Sequence, residues 1–502
     1  MFNLINFNPR EYQVSILETC KNNNTLVVLP TGIGKTAIAL LLGLERLNKF
    51  QDSKILLISP TKPLCQQHIN TFKQHTNISH DKIILLTGLT KPEQRTKLVK
   101  DSLIIIATPQ TIQKDFESGR INLKEFSMLC IDEAHRSRQN FANTHVTKAY
   151  LEQATNPRIL ALTASPGGTL DKIKDIMKNL NLEAVEIRSE QDKDVKQYVQ
   201  KREIEWFTVE LTEKLRDLYK ILKDFYLEKA NELKKLGFNK PLKLINKSDL
   251  LMLQNRFRQE LKTRNNLAFY GISLTAQLIK IDYALELLEV QGLRVLSKYF
   301  EKLKQDTSKA AKTILNNKEF QKAINLVNEL INEGLEHPKF NKLKEIILEE
   351  LKLNSDSKIM IFANYRDTVS YIAQELKNMN IKVTKLIGQK EGLSQKEQIN
   401  IVKTFEESDD NVLVGTSIME EGLDIKGANT VIFYEAVASE IRKIQRAGRV
   451  ARLEAGKIIF LITKNTRDEA YFWSGYQKEK RMKKTLYNLK DKNIKEFLKE
   501  DG

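Results

Sequence analysis

The chain has 502 residues, 41% of them hydrophobic and 29% charged, with a formal net charge of +17. That length exceeds one ordinary domain and allows several, each with its own core, and the surplus positive charge points towards a polyanionic partner. The three cysteines, Cys20, Cys65 and Cys130, are too few and too far apart for a zinc pair or a four-cysteine iron–sulfur site, and no secretory start or bilayer-length apolar run is present, so a cytoplasmic protein with no membrane partner is expected.

From Thr25 to about Arg188, the apolar runs TLVVL, KILLIS, KIILLT, LIIIAT, MLCID and RILALT alternate with stretches of helical period. This pattern predicts a mainly parallel sheet of six strands covered by helices, within a first domain drawn over residues 1–204. The first run leads into PTGIGKT and then into the apolar stretch AIALLLGL, the strand–loop–helix context of a phosphate cradle. Gly32 and Gly34 let the backbone curl so that N–H groups face the phosphates of ATP, Lys35 neutralises charge there, and Thr36 offers a hydroxyl to Mg2+. The usual motif has a glycine where Leu29 stands. Leu29 is expected to remain on the strand, with Pro30, Thr31, Gly32 and Ile33 making the turn.

The run MLCID ends in Asp132, suited to holding magnesium, and is followed by Glu133, suited to polarising the attacking water. An isolated Asp-Glu pair is more often a solvated strand end. Downstream of a phosphate loop it completes a nucleotide site.

Residues 205–336 change texture to long charged segments with apolar residues at helical spacing, predicting an all-α insertion. Within it Lys234, Lys235, Lys240, Lys243, Lys247, Arg256, Arg258, Lys262 and Arg264 are opposed only by Asp249 and Glu260. Alone, such a cluster reads equally well as a solvated face. Over residues 337–465 the runs KIMIFAN, KVTKLIG, NVLVGT, TVIFYE and KIIFLIT predict a second α/β domain, and residues 466–502 a helical extension of one or two basic helices. In IRKIQRAGRVAR, Arg449 and Arg452 share a helix face, with Gln445 one turn back. An arginine pair is most often plain surface, but a cation reaching a transferring phosphoryl group is worth roughly 10³ to 10⁵ in rate. Carboxylates in one α/β domain and arginines in another imply a catalytic site in the cleft between them, with closure coupled to ATP.

The order of these motifs resembles superfamily 2 helicases across nearly the whole chain. The resemblance implies two RecA-like parallel-sheet domains. NPREYQ is similar to the adenine-reading motif, which implies that Gln13 bonds the base edge and Arg10 stacks on it. SPTKPLCQQH, TGLT and ATPQT resemble strand-contacting motifs and imply DNA contacts at Thr61, Lys62, Gly88 and Thr108; IFANYRDT and GTSIMEEGLDI add Arg366 and Thr416. DEAH and TAS imply coupling roles for His135, Thr163 and Ser165, while Gly422 and Asp424 match positions approaching the γ-phosphate and ribose. QRAGRVAR keeps Gln445, Arg449 and Arg452 but has Val450 and Ala451 where the family commonly has Thr-Gly.

DEAHRS, LTASPGGTLDKI, IRSEQDKDVKQYV and TRDEAYFWSGYQKEK together resemble the archaeal Hef and Fanconi-anaemia M branch, whose insertion grips branched DNA. Lys243, Lys247, Arg256, Arg258, Lys262 and Arg264 are the contacts this implies. The nuclease part that commonly follows in Hef does not appear after Gly502; whether it is lost, separately encoded or removed stays open, as does a nuclease subunit or sliding clamp as partner. The implied activity is an ATP-dependent DNA helicase or translocase on forked DNA. The alternatives are a duplex-RNA translocase of the innate-immune sensor or Dicer type, and a non-hydrolysing scaffold for branched nucleic acid.

Overall fold

The computed structural model describes the chain apart from residues 139–140, 199–202, 262–265, 389–394, 417–418, 420–427, 436–455 and 491–502. The first described sheet is built from β1 (Thr25–Val28), β2 (Lys54–Ile58), β3 (Ile83–Leu86), β4 (Ile104–Ala107), β5 (Phe126–Ile131), β6 (Ile159–Thr163) and β7 (Ala184–Ile187). Its order is β3-β4-β2-β5-β6-β1-β7, with every pair parallel. β1, β2, β4, β5 and β6 are buried at every position, so they read as continuous apolar runs rather than as alternation. Alternate residues feed two cores: Leu26, Leu56, Ile105 and Leu129 on one face, and Val27, Leu57, Ile106 and Cys130 on the other. Each such side chain contributes about 1.5–3 kcal/mol by leaving water. All three cysteines are buried and free, and burial pushes the Cys65 thiol up to about 12.

The second described sheet contains β8 (Glu203–Val209), β9 (Ile359–Phe362), β10 (Val383–Leu386), β11 (Val412–Gly415), β12 (Thr430–Phe433) and β13 (Lys457–Thr463), in the order β10-β11-β9-β12-β13-β8 and again parallel. Two strands differ from expectation. β7 adds a seventh strand to the first sheet. β8 straddles the expected boundary at residues 204 and 205, and it belongs to neither the first domain nor the insertion, because it pairs with β13 along its whole length. Burial alternates along β8, but its apolar residues do not simply face inward: Ile204 and Trp206 are exposed, whereas Glu205 pairs with Lys457 at 3.2 Å and Phe207 packs against the core.

The insertion is helical, as expected. Helices Glu213–Glu232, Lys247–Glu260, Asn266–Val290, Leu293–Gln305, Lys309–Leu315 and Lys318–Asn332 close around a core that includes Leu218, Phe225, Leu278, Phe300 and Phe320. Asn246 caps Lys247–Glu260 by accepting the Asp249 N–H at 2.9 Å, while the Asp249 carboxylate accepts the Asn246 N–H.

A single described helix, Arg467–Lys490, ties the three parts together. At its start Arg467 pairs with Glu289 and Asp282 of the insertion at 2.5 and 3.2 Å. The next residue, Asp468, pairs with Lys339 at 2.5 Å, both side chains being essentially excluded from solvent. Phe472 then packs edge-on against Phe460 of β13, whereas Met482, Leu486 and Leu489 complete the core of the first domain. No described helix is long and apolar enough to cross a membrane.

Candidate active site

β1 delivers the phosphate loop. Leu29 continues the ladder by donating its N–H to Thr163 O at 3.1 Å, so it remains strand-like, and the turn follows it. Gly32 and Gly34 adopt φ of +89° and +85°, in the left-handed region that side chains resist. A Cβ on Gly34 would also lie 2.5 Å from Gln13 Nε2. Helix Lys35–Lys49 begins at once, presenting its first N–H groups at the loop, which favours an anion. Lys35 Nζ donates to Leu29 O at 3.2 Å.

The adenine-reading segment packs under this loop. Gln13 is 1% exposed, its Oε1 accepts the Arg10 N–H at 2.9 Å, and the Tyr12 hydroxyl donates to Ile33 O. The Arg10 guanidinium stands 4.7 Å above the Tyr198 ring. Tyr198 was not singled out in the sequence; its only signal was an aromatic among the charges of QDKDVKQYV.

At the end of β5, Asp132 Oδ2 accepts bonds from Ser59 Oγ at 3.0 Å and His68 Nε2 at 2.9 Å, and Oδ1 accepts the Glu133 N–H at 3.0 Å. Burial pushes this carboxyl up, but the His68 hydrogen bond and charge, the Lys35 charge and the Ser59 hydroxyl outweigh it and hold Asp132 below its ordinary range. It is therefore an ionised oxygen donor at neutral pH. Together with the Thr36 hydroxyl it would offer magnesium hard oxygen donors of the kind that ion takes. Among the described residues no group of three or more His, Cys, Asp or Glu could cage a metal alone.

Glu133 takes φ +51°, unusual for a side-chain-bearing residue, and its buried Oε2 makes no hydrogen bond although His135 Nδ1 is 3.2 Å away. A strained carboxylate with spare capacity suits a group that must bind something else. His135 Nδ1 is 3.3 Å from Thr163 Oγ1, which in turn donates to Ser165 O at 3.0 Å and accepts the Ser165 N–H at 3.1 Å. Ser165 Oγ then donates to Met482 Sδ at 2.9 Å, on the helix that spans the domains. His68, Ser59 and Met482 are site residues that sequence reading did not identify.

The sheet order arranges the remaining positions. Reading β3-β4-β2-β5-β6-β1, the strand ends present Gly88, Thr108, Thr61, Asp132, Thr163 and the Lys35 loop in one row. Thr61 and Thr108 stand at the N-cap positions of the helices Lys62–His75 and Pro109–Glu117 without a side-chain capping bond, Thr61 Oγ1 has no hydrogen-bond partner, and Gly88 is exposed. In the second sheet Arg366, after β9, and Thr416, after β11, follow adjacent strands. On the insertion Lys247, Arg256 and Arg258 are exposed, Arg256 pairing with Glu260 at 2.8 Å. Lys262, Arg264, Gly422, Asp424, Gln445, Arg449 and Arg452 lie outside the described residues, and so does the side chain of Lys243.

Residues 10–173 match the family described as DEAD/DEAH box helicase, residues 338–454 the helicase conserved C-terminal domain, and residues 214–333 "Putative ATP-dependent RNA helicase, helical bundle". Helicase Hef of Pyrococcus furiosus, solved as its helicase domain, superposes with a TM-score of 0.75 at 41% identity, covering 93% of this chain and 98% of that one. The chain belongs to the Hef and Fanconi-anaemia M branch of superfamily 2 helicases. Among its relatives, a protein of Methanocaldococcus jannaschii named "Putative ATP-dependent RNA helicase" is 41% identical over 96% of this chain, and the Neurospora crassa ATP-dependent DNA helicase mph1 is 32% identical over 93%. This Hef-type chain spans 61% and 42% of the lengths of those two relatives.

Proposed function

We propose that this chain is an ATP-dependent DNA helicase or translocase acting on forked and branched DNA. The observation that supports it best is the row of strand ends, in which three candidate strand contacts adjoin Asp132 and the Lys35 loop on one sheet edge. ATP would seat its phosphates on the Gly32–Thr36 loop, and Lys35 would neutralise them. Magnesium, when bound, withdraws charge from the phosphate oxygens, and Thr36 and Asp132 would hold it. Glu133 would orient the attacking water through Oε2, which makes no hydrogen bond of its own. Gly422, Asp424, Gln445, Arg449 and Arg452 would meet the nucleotide from the second domain as the cleft closes.

Thr61, Lys62, Gly88 and Thr108 on one domain and Arg366 and Thr416 on the other would grip the backbone without reading bases. Each closure would shift one grip relative to the other. The insertion cations, Lys243, Lys247, Arg256, Arg258, Lys262 and Arg264, would hold a duplex arm. One relative's name specifies RNA and another's DNA, so the test is ATPase and strand separation on forked DNA, four-way junction, single-stranded DNA and duplex RNA. Forks should stimulate most, and Glu133→Gln should lower turnover about 100-fold or more. Stronger stimulation by duplex RNA would sink the DNA reading.

A further inference from the structure

The first turn of helix Asn266–Val290 carries apolar surface outside the described hydrophobic cores. Helix Asn266–Val290 is pinned at its far end, where Glu289 meets Arg467. At 1.5 Å per residue its first turn projects about 30 Å from that pin. There Phe269 is 68% exposed, Leu267 63% and Tyr270 43%. Scattered exposed apolar residues mean little, but an aromatic ring two-thirds exposed on a closely seated helix offers a contact surface.

The surroundings limit what meets that surface. Ala268 is buried, and a Cβ on Gly271 would lie 2.7 Å from the Phe257 ring, so this helix and Lys247–Glu260 are closely seated and the exposed residues are firmly based. Nearby carboxylates are engaged: Glu232 with the Tyr270 hydroxyl and with Lys229 at 2.8 Å, Glu260 with Arg256 at 2.8 Å, and Asp249 with Lys240 at 2.6 Å. Exposed Lys234, Lys235 and Arg258 therefore leave the tip positive. An exposed aromatic side chain on a part of the insertion that also carries exposed cations matches a ligand that offers flat apolar faces between phosphates.

We propose that Phe269, supported by Leu267, is a wedge that stacks on the terminal base pair at the branch point of a fork. This rests on the branched-DNA reading above and adds a role to it. Cations alone would hold any duplex; a stacking surface is useful only where the base stack ends. The wedge would thus distinguish a branch from an uninterrupted duplex.

The test uses the whole chain and a fork carrying 2-aminopurine at the branch-point pair. Binding should alter the 2-aminopurine emission, and Phe269→Ala should abolish that change and weaken fork binding about tenfold while leaving single-strand affinity and single-strand-stimulated ATPase intact. Phe269→Trp should restore both. A Phe269→Ala protein that binds forks as tightly as wild type overturns the wedge alone, whether the patch faces a protein partner or solvent. Equal losses on forks and single strands overturn it too. A wild-type protein with no preference for forks overturns the branched-substrate reading, and the wedge with it.

Discussion

His337 is 2% exposed where the insertion meets the second domain, and burial, with the nearby Lys339 charge, lowers its pKa to about 3. In an unfolded chain an imidazole titrates near 6.5. Below that pH the unfolded chain binds a proton that the folded one refuses. The associated stability is full above about pH 6.5 and is lost by roughly 1.4 kcal/mol per unit as the pH falls towards 3. His337 Nδ1 accepts the Lys339 N–H at 3.2 Å as a helix cap, a role asparagine can take. Between about pH 7.5 and about pH 5.5 the loss is about 1.4 kcal/mol, so in a chain of this size His337→Asn should lose about 1–2 °C less in melting temperature than wild type. Equal losses in thermal melts would assign the acid sensitivity elsewhere. The same scale marks the limit of the motifs. Asp132 was legible as a strand-end carboxylate, but His68, one of six histidines, reaches it only through the packing of Lys62–His75, and no spacing in the sequence encodes that contact.

Among the elements, helix Arg467–Lys490 joins more parts than any motif suggested. Residues 466–502 read in the sequence as one or two basic helices, yet Met482, Leu486 and Leu489 recur at helical spacing and fill the first domain's core. The stripe was visible in the sequence; its docking partner was not. Likewise Glu186 interrupts β7 and Glu203 and Glu205 interrupt β8, so neither offers the continuous apolar run that reveals the central strands, and β8 finds its partner β13 only after the whole insertion intervenes. The contact of Met482 with Ser165 puts this helix in line with Thr163, His135 and Glu133. Met482→Leu keeps the volume, at a cost below about 1.5 kcal/mol, but removes the sulfur acceptor. If the helix relays the nucleotide state, this variant should retain ATPase within about twofold while separating several-fold less DNA per ATP hydrolysed. An unchanged ratio of strands separated to ATP consumed would make the contact packing only.

For the whole molecule, the charge of +17 and the wedge should leave different signatures in salt. Each cation that touches a duplex phosphate releases counterions and contributes about 0.9 to the slope of log K against log salt, whereas stacking contributes to affinity with almost no slope. Neutralising exposed Lys234, Lys235, Lys247 and Arg258 to glutamine should therefore flatten the slope for forks by up to about 3.6 units if all four meet phosphates. The slope for single strands, which the proposed function assigns to the core domains, should hardly move. Phe269→Ala should lower the whole fork line in parallel, leaving its slope intact. The two changes act on independent terms of one free energy, so their effects should add at any fixed salt concentration, provided the tip keeps its shape. Measured over a fourfold range of salt, a slope that changes with Phe269→Ala would mean that the aromatic only positions the cations; a slope unchanged by the four glutamines would remove the insertion from the duplex and leave the DNA grip to the two sheets.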